Sequence, residues 1–174
     1  MKWQEEDKAF LLSAASEISA YLCSPVLEWN MSPSRFVLTP GRVLLSQRRL
    51  SSKVNDVQIA GLLRELDAIL QNHTSSWQRK IAQEIPVRLR LWANVLEGYR
   101  EEGLDASYSA QVAHRVMLKL LVDESSAVDT RLLGQLDSLD AALHTLLRKN
   151  GFIWGRELEK CFPEVDFWFL YCQL

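Results

Sequence analysis

Three histidines and three cysteines carry the most reactive side chains in this chain, and their spacing limits what they can do. His73, His114 and His144 each stand alone in sequence. None lies in a His-Glu-x-x-His arrangement, and none is four residues from another histidine or a cysteine on one helix face, as a helix-borne zinc site requires. His73 falls in a polar break. His144 lies four residues after Asp140 and four before Arg148, the spacing of a solvated helix face. His114 sits at the edge of an apolar stripe, where a structural imidazole fits better than a ligand. A dinuclear carboxylate centre of the bundle type needs Glu-x-x-His pairs pointing inward. The chain has no Glu-x-x-His, and Glu65, Asp67, Glu97 and Asp140 fall on the polar sides of their expected helices.

Nucleophile chemistry finds no better footing. Gly-x-Ser-x-Gly and the phosphate-cradling glycine loops are absent, and only seven glycines occur in all. Cys23 and Cys161 are each flanked by apolar residues, where a thiol stays protonated and inert. With Cys172 they make an odd number without Cys-x-x-Cys spacing, which argues against a disulfide framework and for a reducing compartment. No cofactor or metal is expected, and a catalytic site would have to be assembled in space from residues distant in sequence.

Two segments are better placed to bind than to react. Between Glu28 and Asp56 there is no acid, while Arg35, Arg42, Arg48, Arg49 and Lys53 supply five positive charges. Such a run can form a patch for phosphate or nucleic acid. The alternative is that these cations pair with acids of the first helix, such as Glu17, or with Glu28, and the sequence pI near 5.9 favours that alternative. The second segment is the aromatic C-terminal stretch, residues 152–174. It holds seven of the sixteen aromatic residues, among them Trp154, Phe162, Phe167, Trp168, Phe169 and Tyr171. Pro163 with Glu164 and Asp166 behind it has the form of a helix start. As a helix, the end places Phe167, Leu170, Tyr171 and Leu174 on one side and Val165, Trp168, Phe169 and Cys172 on the other. As a strand it is also apolar on both faces. An element apolar all round must be covered on more than one side, either by the rest of the chain or by a partner protein docked on those six aromatic residues. Insertion into a membrane surface has little support, because Glu157, Glu159, Glu164 and Asp166 outnumber Arg156 and Lys160 around it.

The elements that hold these residues read as helices. Phe10, Leu11, Ala14, Ala15, Ile18, Tyr21 and Leu22 recur at three- and four-residue steps from about Trp3 to Leu22, and Ser24-Pro25 ends the run. Residues 26–53 are the least regular. There Phe36-Val37-Leu38 and Val43-Leu44-Leu45 flank Pro40-Gly41, which suits a type II turn, so residues 36–45 predict either a small hairpin or a loop with a brief extended piece. Helical spacing resumes from about Val54 to Gln71, and Asn72-His73-Thr74-Ser75 breaks it. Ser75 and Gln78 form a capping box for a long stripe through Trp77, Ile81, Ile85, Leu89, Trp92, Leu96 and Tyr99, with a kink or a junction of two helices expected at Pro86. Gly103 reads as a C-cap, Asp105 or Ser107 opens a helix reaching about Val122, and Asp129 opens one in which Leu132, Leu136, Leu139, Leu143 and Leu146 mimic two heptads. Asn150-Gly151 stops it.

Together these patterns predict an all-α, single-domain bundle of about five to seven helices over residues 1–174. Glu5, Glu6 and Asp7 stand where a secretory signal would be basic, so Asn30-Met31-Ser32 and Asn72-His73-Thr74 are not expected to be glycosylated. No apolar run reaches the length of a membrane span. The expected setting is cytoplasmic. The expected role is non-catalytic and exercised through protein–protein contact, as an adaptor, regulator or assembly subunit. Nucleic-acid or phosphate binding through residues 35–53 is the alternative, and a spatially assembled enzyme site the third reading.

Overall fold

The computed structural model describes residues 2–53, 55–102 and 108–173. Among these the chain is all-α, with seven α-helices and two short antiparallel strand pairs. It divides into two compact units, Met1–Glu84 and Ile85–Leu174.

In the first unit, helix α1 (Lys2–Cys23) buries the expected stripe: Phe10, Leu11, Ala14, Ile18, Tyr21 and Leu22 are fully enclosed. This face packs on α2 (Pro40–Leu50) and α3 (Val57–Asn72). A two-residue hairpin precedes α2. Its strands are β1 (Trp29–Asn30) and β2 (Val37–Leu38), with Trp29 opposite Leu38. The extended piece near residue 37 is therefore present, but its partner lies upstream and not at Val43–Leu45. Pro40-Gly41 makes no turn. Thr39 is a helix N-cap whose hydroxyl accepts from the Arg42 amide, and Pro40 takes the first helical position, where its missing N–H costs nothing. Val43 and Leu45 are buried helix residues. Asp56 caps α3, its carboxylate accepting from the Gln58 and Ile59 amides. The expected start at Val54 lies outside the described residues.

The long stripe belongs to one helix, α4 (Thr74–Glu102), which begins in the first unit and continues in the second. It opens at Thr74, directly after His73 closes α3, so Ser75 is inside the helix and does not cap it. Pro86 lies within α4 and does not divide it into two helices. Trp77, Ile81, Ile85, Leu89, Trp92, Leu96 and Tyr99 are all buried, as the spacing predicts.

In the second unit, α5 (Tyr108–Gln111) and α6 (Ala113–Glu124) follow. The expected caps at Gly103, Asp105 and Ser107 lie outside the described residues. Helix α7 (Thr130–Leu146) has Asp129 as its cap, accepting from the Arg131 amide at 2.8 Å. It ends before Asn150-Gly151 because residues Arg148–Lys149 form β3, paired with β4 (Cys172–Gln173) at the other end of the segment. The aromatic stretch between them is not an α-helix. It is two 3-10 turns, Arg156–Cys161 and Trp168–Leu170, and Pro163 opens only a single turn, closed by the Phe167 amide on the Pro163 carbonyl.

Candidate functional site

The basic segment is divided by its own pairings. Arg42 reaches Glu6 at 2.8 Å and Asp7 at 3.7 Å, and its guanidinium lies over the Phe10 ring. Arg49 meets the other oxygen of Asp7 at 3.6 Å. The acids that neutralise them are thus Glu6 and Asp7, and not Glu17 or Glu28; Glu17 instead accepts from the Trp29 indole. Asp7 is a buried carboxylate that also accepts from Ser46 at 2.8 Å. Burial raises its pKa while the two arginines oppose the rise, and burial lowers that of Arg49. Arg48 and Lys53 are half-buried on α2 and the turn after it, and Arg35 is exposed near the hairpin tip with a left-handed φ of 59°.

Two buried charges on α4, Lys80 and Glu84, lie in the polar half of its pattern and so leave no sequence signal. Lys80 is wholly enclosed, and its ammonium donates to the carbonyls of Ser24 and Val26 and to the Ser24 hydroxyl, 4.3 Å from the Tyr21 ring. All three N–H groups are thereby engaged. Burial lowers its pKa, with Arg79 adding to the effect. Arg79 donates to the Leu22 carbonyl at 3.1 Å. Two cations thus meet the negative end of α1. Four residues on, Glu84 accepts from the Thr39 hydroxyl at 3.1 Å and from the Gly41 amide at 2.7 Å, a carboxylate at the positive end of α2. Asp7 and Glu84 are thus inward-facing carboxylates that the sequence pattern did not reveal. Both are held by helix-end or ion-pair contacts.

The remaining reactive side chains are scattered. His114 Nδ1 lies 3.2 Å from the Arg88 guanidinium, and since arginine only donates, that nitrogen accepts and the proton sits on Nε2. Burial, then Arg88, lowers the His114 pKa. Asp140, read as a solvated residue, instead takes both Nε and Nη2 of buried Arg115, at 2.8 and 2.6 Å. Cys161 is buried, but Cys23 is exposed at the end of α1, contrary to its apolar sequence neighbours. Among the described residues, no three histidine, cysteine or carboxylate side chains gather as metal ligands.

The aromatic segment is consumed by the second unit's own packing. Phe162, Phe167, Phe169 and Tyr171 are buried core residues; the three phenylalanines meet edge to face, and Tyr171 lies tilted against Phe152. Tyr108 donates to the Phe169 carbonyl, Tyr171 to that of Phe162, and Trp154 to that of Ser109. The face carrying Trp168 and Phe169 is covered from within the chain. His144 stacks on Trp168 at 3.7 Å between centroids, and Arg115 lies 4.5 Å over Phe169. Of the six residues, only Trp154 and Trp168 keep partial exposure.

One groove is lined jointly by residues of α4 and α7. Its volume is about 830 Å³. Helix α4 contributes Pro86, Leu89, Arg90 and Ala93, and α7 contributes Arg131, Leu132, Gly134, Gln135, Ser138 and Leu139. Each wall is therefore some eight residues of helix, or roughly two turns and about 11 Å long. The floor is aliphatic. Leu132 and Leu139 belong to the heptad-like stripe of α7, yet only Leu136 and Leu143 of that stripe are buried. Arg90 and Arg131 are exposed, and among the described residues neither guanidinium has a hydrogen bond or an ion pair. No acid lines the groove. Gly134 sits within α7, where glycine costs about 1 kcal/mol relative to alanine, and a β-carbon there would meet nothing within 4 Å. The sequence signals existed singly: a mid-helix glycine, and two arginines beside apolar positions. Nothing in one dimension joined residues 86–93 to residues 131–139.

Compared with known proteins, the chain matches no family model, no curated protein and no solved structure.

Proposed function

We propose that this chain is a non-catalytic binding protein that works by holding another protein in the groove between α4 and α7. The observation that carries the reading is the groove itself: an aliphatic lining two helical turns long, with two guanidiniums that have no partner among the described residues. Apolar surface beside uncommitted polar donors is the composition of a docking site. The groove is open along its length, with five of its ten lining residues exposed, which suits an extended partner surface better than a small molecule that must be largely enclosed. The buried charges elsewhere support the same reading, since Lys80, Glu84 and Asp7 are each engaged in holding helices together. Pairing of Arg42 and Arg49 with Asp7 weakens the case for a nucleic-acid patch on α2. The three thiols support a reducing, cytoplasmic setting.

Gly134→Trp tests the groove at an exposed position where a β-carbon meets nothing within 4 Å. Proteins crosslinked to the native chain in cells are expected to be lost with the variant, at unchanged thermal stability. A variant that keeps the full set of crosslinked partners would refute the groove as the binding site.

A further inference from the structure

The chemistry of the groove restricts what can fill it. Its lining has two cationic side chains and no anionic one. Arg90 and Arg131 stand on opposite walls, one on each helix, and both lack an internal counter-charge among the described residues. An occupant must therefore carry carboxylates or phosphates on two sides of an apolar strip. A nucleic-acid strand has the charge but not the strip. It would meet leucine, proline and alanine where its bases need aromatic rings, and none of the ten lining residues is aromatic. A helix with apolar residues at i, i+3, i+4 and i+7 supplies a strip two turns long, the length of the floor. Gly134 then has a use that the chain's own packing does not give it, since the absence of a side chain lets a second backbone come close. Gly61 on α3 and Gly98 on α4 are equally open, so the glycine is informative only together with the aliphatic lining and the arginines.

Resting on the groove as a protein-binding site, we propose that its partner is an acidic amphipathic helix of another protein. Its apolar stripe lies on Leu89, Leu132 and Leu139, and aspartates or glutamates flanking that stripe meet Arg90 on one wall and Arg131 on the other. The two ion pairs select the partner and its orientation, and the aliphatic floor holds it.

The test is a display library of helical peptides in which stripe and flanks are both randomised, selected on the full-length chain and counter-selected on Gly134→Trp. Enriched peptides are expected to keep the apolar stripe and to carry Asp or Glu on both flanks. Their affinity should fall roughly tenfold when Arg90→Glu and Arg131→Glu are combined. The doubly reversed chain, selected afresh, should enrich Lys and Arg flanks instead. Peptides that depend on an open Gly134 but carry neutral or basic flanks would overturn the acidic partner while leaving the groove as a binding site. Peptides that bind native and Gly134→Trp chains alike would overturn both. Sedimentation supplies a third arm: a dimer lost on Gly134→Trp would identify the occupant as a second copy and also overturn the proposal.

Discussion

Charged and titratable side chains in this protein divide by whether their partners lie inside the chain, and His114 shows what an inside partner implies. The imidazole is half-buried and receives a hydrogen bond from Arg88, an arrangement that only neutral histidine permits. Its folded pKa lies below the ordinary 6.5, so the unfolded chain binds the proton more readily. The stability this provides is complete above pH 6.5 and is lost as the pH falls through that value toward the lower folded pKa. The urea midpoint of the native protein should therefore drop between pH 7.5 and 5.5, and His114→Gln should flatten that part of the profile. An equal drop in both proteins would mean the acid sensitivity lies elsewhere. His114 was legible as a structural histidine from its place beside an apolar stripe, whereas Asp140 was misread. Asp137 and His144 share its helix face and are polar, and only the fold brings Arg115 across to it at 2.6 Å. Arg90 and Arg131 are the contrast: they have no such partner among the described residues and are the arginines proposed to meet a ligand.

At the level of elements, helix ends explain more than helix faces. The stripes of α1, α3 and α4 were readable because burial follows a 3.6-residue period. Helix α2 opens on a Pro-Gly pair that suits a turn, although Thr39 followed by Pro40 is equally a helix start. The aromatic stretch erred in the opposite direction. Pro163 and its acids imitate a helix start, but Phe162, Phe167 and Phe169 pack edge-to-face with one another, and β4 returns to β3. Such long-range pairing leaves no periodic trace. The α2 start also makes a measurable unit, since the Thr39 hydroxyl accepts from the Arg42 amide while donating to Glu84. Thr39→Ala should cost about 1 kcal/mol, and Glu84→Gln about 2 kcal/mol, because a charged acceptor is lost from a buried amide. Combined, the two should cost less than their sum, since they share one hydrogen bond. Strict additivity in a denaturant cycle would show that Glu84 acts on Gly41 alone.

For the molecule as a whole, composition and periodicity gave the all-α class, and the absence of any known catalytic motif left the role open. The groove stayed hidden for a physical reason: its walls are some forty residues apart in sequence, and each reads alone as an ordinary amphipathic helix. Helix α4 belongs to both compact units, its residues 74–84 to the N-terminal one. That arrangement has a consequence in time. The end of α1 and the start of α2 are completed by Arg79, Lys80 and Glu84, which come later in the chain than all three preceding helices. During synthesis a chain released as far as Asn72 carries α1, α2 and α3 with those helix ends still open to water. At ordinary elongation rates the next twelve residues take roughly a second. Nascent chains stalled with Asn72 just outside the ribosome should be cut readily by protease within residues 24–41, and those stalled beyond Glu84 should resist. Equal resistance at both lengths would mean that the first three helices close without their later caps. If the difference is seen, this stretch of α4 acts as a checkpoint that delays folding of the N-terminal unit until its last contributor has been made.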